Sequence, residues 1–149
     1  MQIENEIKQN SFKNEYHKLI VNLMFTGSWL SVKNHDHLKP YGITIQQYNI
    51  LRILRGQHPK PTTVTLLIER MMDKMSNASR LVEKLRKKGL VKRRMCEKDH
   101  RAVDVLITTK GLNLLKEIEK LDNEWEDNFR ALTIPEARRL NDLLDKLRG

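Results

Sequence analysis

Two groups of residues in this 149-residue chain have the chemistry to read a polyanion. Met75, Ala78, Leu81, Val82 and Leu85 recur at helical spacing as an inward stripe, which leaves Ser76, Asn77, Ser79, Arg80 and Lys84 on the outward face of a helix over 75–88. Short polar side chains near a helix start can approach base edges, and an arginine reaches a guanine edge or a phosphate. The helix N-terminus itself favours an anion. Asp99 and Arg101 form the second group, two residues apart in the charged stretch 96–101 and on one side of the chain if it is extended there. An acid in a basic loop is unfavourable unless it has a local task, and holding an arginine for a narrow minor groove is such a task. The competing readings are an ordinary polar helix face and a turn with a surface ion pair of little energetic value. Thr65, Lys74, Arg86, Arg93 and Lys98 complete the candidate DNA-contacting set.

The charge distribution favours the nucleic-acid reading. The net charge is +9, from 28 basic and 19 acidic residues. Residues 61–101 carry 12 basic and 5 acidic residues (+7), whereas 1–60 stand at +4 and 102–149 at −2. A localised basic block suits a phosphate backbone, because each neutralised phosphate releases counterions. A solvated basic face without a partner is the alternative.

Other chemistries fare less well. His35 and His37 flank Asp36 in a predicted loop, but two histidines without a cysteine or glutamate cluster read as polar loop residues, and no metal is expected. Cys96 is the sole cysteine, which excludes an intramolecular disulfide and fits a reducing cytoplasm. Its neighbours Arg93, Arg94 and Lys98 would favour a thiolate, so a redox switch is a weighed alternative. There is no nucleophile elbow, phosphate-cradling glycine loop, His-Glu-x-x-His pattern or plausible carboxylate pair, so neither an enzyme nor a cofactor is expected. The most apolar stretch, Leu19–Leu30, is too short and too polar to span a bilayer, and the N-terminus is unlike a signal peptide. A cytoplasmic protein without membrane contact is expected.

The elements that must position these residues are mostly helical. Phe12, Tyr16, Leu19, Ile20, Leu23, Met24, Gly27 and Leu30 make one stripe of a long first helix, ended by the polar run Lys33–Lys39, Pro40 and Gly42. Thr44 and Gln47 read as a capping box for a second helix with Tyr48, Leu51 and Leu54 inward and Gly56 as its stop. Thr65 caps a short helix, Leu66–Met71, with Ile68 and Met71 inward. A brief break at Met72–Asp73 leads into the helix over 75–88, closed by Gly89. Residues 90–95 and 102–107 then read as a two-stranded hairpin around a polar tip. Thr108 or Thr109 caps one long helix through Leu112, Leu115, Ile118, Leu121, Trp125 and Phe129. Thr133, Pro135 and Glu136 start a last helix bearing Ala137, Leu140, Leu143, Leu144 and Leu147. The fold class is thus mainly α with a small β-hairpin wing: a winged helix-turn-helix with flanking helices.

The ordered set 61–71, 76–85, Gly89-Leu90-Val91-Lys92-Arg93, 99–103 and 106–111 resembles the multiple-antibiotic-resistance regulator (MarR) family over residues 41–115. The resemblance implies a single domain over 1–149, with a DNA-binding region at 41–108 and helical dimerisation segments at 1–35 and 109–149. It implies a homodimer on a pseudo-palindromic double-stranded operator, the helix over 75–88 in the major groove, and Arg101 in the minor groove steadied by Asp99. It also implies release by a small aromatic or phenolic effector, for which Tyr16, Phe25, Trp29 and Tyr48 are the candidate pocket residues. A ligand-responsive repressor is therefore expected. The alternatives are a winged helix used only for protein contacts and a metal- or redox-responsive variant. Two departures stand out: His100 occupies a wing position often held by arginine, and Met72 stands where a glycine often closes the helix–helix turn. Hydroperoxide sensors of the family carry their cysteine in the first helix, where this chain has none.

Overall fold

The computed structural model describes residues 2–95 and 103–149, without the side chains of residues 122–124. Its elements run α1 (Ile3–Glu6), α2 (Glu15–Leu38), a 3-10 turn (Lys39–Tyr41), α3 (Ile45–Gln57), β1 (Thr62–Thr63), α4 (Val64–Arg70), α5 (Ala78–Lys87), β2 (Val91–Met95), β3 (Val103–Ile107), α6 (Thr109–Glu119), α7 (Asp122–Asp127) and α8 (Ile134–Arg148). The chain divides into two compact units, Met1–Tyr48 and Asn49–Gly149.

In the first unit, the Asn14 side chain accepts the His17 N–H at 2.9 Å and starts α2. This helix runs through the polar stretch 33–38 that the sequence assigned to a loop. Asn14 supplies the start, and the helical backbone bonds continue until Pro40 and the left-handed Gly42 (φ 64°) close the 3-10 turn. The apolar stripe of α2 is not buried within the chain: Tyr16, Leu19, Ile20, Leu23 and Met24 are all exposed. Thr44 and Gln47 form the expected reciprocal cap, with bonds of 3.3 and 3.2 Å to each other's backbone N–H. The α3 helix continues through Gln57, so Gly56 lies inside it and is not its stop.

In the second unit, a core of Ile50, Leu51, Leu54, Leu67, Met71, Val82, Leu85, Val91, Val105, Leu115 and Ile118 is fully enclosed. The sheet has three strands in the order β1-β3-β2, all antiparallel, against an expectation of two. The added strand is only Thr62–Thr63, paired with Val105 and Asp104 and too short to show alternation in sequence. The β2–β3 register sets Val91 opposite Ile107 and Arg94 opposite Asp104.

Gly89 has φ 72° and lets Leu90 N–H return to the Leu85 carbonyl at 3.0 Å, ending α5 where expected. Thr108, one of the two residues expected to do so, caps α6 by accepting the Gly111 N–H at 3.1 Å, while its hydroxyl donates to the Gly89 carbonyl at 2.7 Å. The predicted long helix after the wing is two helices, α6 and α7, with Leu121 at φ −102° and ψ 7° between them. The final helix carries both halves of the Thr133–Glu136 capping box and Pro135 in its first turn. Its apolar residues Leu140, Leu143 and Leu147 are exposed, as is Ile134.

Candidate nucleic-acid interface

The α4–turn–α5 segment presents the polar face that the sequence singled out, with revised boundaries. Thr63, not Thr65, caps α4, its hydroxyl accepting the Leu66 N–H at 3.2 Å. That two-residue shift puts Leu67 in the core and leaves Ile68 45% exposed, reversing the expected inward role of Ile68. Thr65 is exposed in the first turn of α4.

Seven residues, 71–77, separate the two helices, so the link is longer than the predicted break at Met72–Asp73. It is built by side chains rather than by a glycine. Asn49 on α3 accepts the Met72 N–H at 3.0 Å. Asp73 accepts both the Met75 N–H (3.0 Å) and the Ser76 hydroxyl (2.8 Å). Asn77 then caps α5 by accepting the Arg80 N–H at 3.0 Å. Met75 lies in this turn and is 94% exposed, so it does not belong to the buried stripe. Ala78, Val82 and Leu85 do fill that stripe, while Leu81 is half-buried.

The predicted DNA-contacting residues are thereby sorted. Ser79, Arg80 and Lys84 project from the exposed side of α5. Ser76 and Asn77 stand just before its first turn, but each already has a local hydrogen-bonding task. The Lys74 ammonium donates to the Glu69 carbonyl. Arg86 and Arg93 both turn to Glu83. Arg86 makes two bonds to its carboxylate, at 2.8 and 2.9 Å, and Arg93 on β2 approaches it at 3.5 Å. The Arg86 hydrogen bonds, reinforced by the charges of Arg86, Lys87 and Arg93, hold the Glu83 carboxyl down to about 2. Lys98, Asp99, Arg101, Cys96 and His100 lie outside the described residues.

Of the four candidate pocket residues, Phe25 and Trp29 line a cavity of about 290 Å³ in the first unit, together with Ile3, Glu6, Asn22 and Thr26. Tyr16 is 79% exposed, and Tyr48 is half-buried on α3. Among the described residues no group of three metal-ligating side chains is assembled, and no helix is long and apolar enough to cross a membrane.

Sequence reasoning passed over Asn49, Thr63, Asp73 and Glu83. Asp73-x-x-Ser76 and Asn77-x-x-Arg80 were detectable as local turn and cap patterns. The Asn49–Met72 and Glu83–Arg93 contacts join different elements, and no spacing rule reports them.

The MarR family profile matches residues 41–102, the stretch that runs from the 3-10 turn through α5 and β2. Over that stretch, under half of the chain, the sequence is similar to the MarR family. It is 38% identical over 71 residues to the HTH-type transcriptional regulator BilQ of Clostridium symbiosum, an alignment covering 47% of this chain and about half (49%) of that relative. Its fold is similar to that of a mutant MarR from E. coli complexed with operator DNA, with a TM-score of 0.80 at 23% identity over 94% of this chain and all of the other (100%). It is also similar to the organohalide-sensing regulator RdhR in its 2,4-dichlorophenol-bound form, with a TM-score of 0.82 at 19% identity over 94% and 85% of the two chains. The BilQ relative and the RdhR neighbour are both transcriptional regulators.

Proposed function

We propose that this chain is a MarR-family, sequence-specific, double-stranded DNA-binding regulator that acts in the cytoplasm as a homodimer and represses until a small aromatic or phenolic effector releases it. The observation that carries the reading is α5. It is a ten-residue helix, anchored through Ala78, Val82 and Leu85 and capped by Asn77, with Ser79, Arg80 and Lys84 exposed along one side. That side matches a major groove in its chemistry: a helix N-terminus for a phosphate, short polar groups for close approach, and an arginine for a guanine edge. Asp99 and Arg101 supply the minor-groove contact in this reading, with Thr65, Lys74 and Lys98 as phosphate contacts.

The dimer has its support in the exposed apolar faces of α2 and α8, where Ile20, Met24, Leu143 and Leu147 would otherwise stay in water. Phe25 and Trp29 around the first-unit cavity supply aromatic surface for an effector, and the RdhR neighbour was captured with a chlorinated phenol. Helical segments 1–35 and 109–149 flank the reading region at 41–108 and carry the dimer contacts.

The test is selection from a random duplex library with the whole chain, followed by binding of the enriched duplex and its scrambled counterpart. Enrichment of one pseudo-palindromic sequence is the expected outcome. Failure to retain any duplex even at low salt, where any basic surface binds best, would overturn the reading and put a protein-contact module in its place.

A further inference from the structure

Glu83 is the acid on the exposed side of the reading helix, and it sits one turn beyond Ser79 and Arg80. Its carboxylate is shared between two elements. Arg86 comes from the same helix, with both carboxylate oxygens engaged at 2.8 and 2.9 Å, and Arg93 comes from the wing strand β2 at 3.5 Å. Side chains of all three are a third to a half exposed, so the cluster adds little to folding stability. An acid on a surface made for phosphates also weakens DNA attraction. Its presence therefore calls for an account other than stability or affinity.

We propose that Glu83 is a specificity-determining positioning residue: it withholds Arg86 and Arg93 from indiscriminate phosphate contact and fixes the base of the wing against the reading helix. The proposal rests on the DNA-binding reading above. Arginines free to swing meet phosphates on any duplex, and such contacts carry no sequence information. Arginines held on Glu83 keep a fixed spacing between α5 and β2, so that only a duplex matching that spacing meets both elements.

The test compares the parental chain with E83Q on the selected duplex and its scrambled counterpart across a salt series. Each added phosphate contact steepens the salt slope by about 0.9, so between about 50 and about 200 mM salt the loss of scrambled-duplex affinity should deepen roughly three-fold for one released arginine and twelve-fold for two. At low salt E83Q should bind the scrambled duplex more tightly and discriminate less well. Placing E83Q on an R86A/R93A background should abolish the change, because the effect runs through those arginines. An unchanged salt slope would reduce the cluster to a surface ion pair. Equal gains on both duplexes would make Glu83 a charge attenuator without a part in specificity. Either result overturns the proposal while leaving the DNA-binding reading intact. Failure of the parental chain to prefer the selected duplex overturns that reading, and this inference with it.

Discussion

The side-chain oxygen of Asn49 accepts the backbone N–H of Met72 at 3.0 Å, tying α3 to the turn that launches the reading helix. The contact spans 23 residues of sequence, and it fixes a turn that contains no glycine. Asn49→Ala leaves that N–H without its partner and should cost about 1 kcal/mol of stability. Urea unfolding reads the loss directly. A midpoint identical to the parent's would show that water replaces Asn49 without penalty.

Asn77 should matter first as a cap. Its side chain holds the Arg80 N–H at 3.0 Å, and Asn77→Ala should cost about 1 kcal/mol by the usual range for lost N-caps. Asn77→Asp keeps the cap and removes the amide donor. Thermal unfolding should therefore separate Ala from Asp, while the added carboxylate of Asp weakens binding to any duplex. Equal melting of the Ala variant and the parent would contradict the capping role.

Gly111 lies where α6 passes Leu90. A Cβ there would stand 2.4 Å from the Leu90 carbonyl oxygen and 2.7 Å from a side-chain carbon of Ile107. A backbone carbonyl cannot rotate away as a side chain can, so Gly111→Ala should destabilise the second unit by about 1–3 kcal/mol, as overpacked cores do. Gly56, with open space around its Cβ position and a place inside α3, is the matched control: Gly56→Ala should be neutral or mildly stabilising. Reversal of that order in denaturant midpoints would contradict the packing.

Glu83 should titrate apart from the exposed carboxylates. Its hydrogen bonds with Arg86, first among the causes, hold it down to about 2. A carboxyl depressed on folding lends stability that is complete above its unfolded value and is lost as pH falls through its folded value. The loss from Glu83 therefore falls between the ordinary glutamate range and about pH 2. Carbon-detected NMR of the side-chain carboxyl gives its titration directly, and R86A should return the midpoint toward the ordinary range. Titration of the parent in that range already would refute the pairing in solution.

What the sequence disclosed and what it withheld follow a physical division. The caps at Thr44–Gln47 and Thr133–Glu136 were legible because both partners lie within one turn and the chemistry is local. Ala78, Val82, Leu85, Leu115 and Ile118 were legible as well, since helical periodicity picks out the face that packs inward. Ile68 was misplaced because apolar character says nothing of phase when a cap shifts by two residues, as it does from Thr65 to Thr63, and Met75 because α5 starts only at Ala78 and leaves it in the turn. The stripe of α2 was read correctly as a stripe, but periodicity cannot state what covers it. β1 is two residues long, and its strand character comes from pairing with β3 alone. The Glu83–Arg93 contact joins a helix to a strand and leaves no trace in local spacing.

The central claim is that the outward face of α5 reads base sequence. Fluorescence anisotropy of the parental chain and Arg80→Ala on the selected duplex and its scrambled counterpart tests it most directly. The account predicts that Arg80→Ala loses at least about 1 kcal/mol on the selected duplex and markedly less on the scrambled one, as expected for a lost base contact. Equal losses on the two duplexes would reduce Arg80 to a phosphate contact, and unchanged binding to both would contradict the claim that α5 is the reading helix.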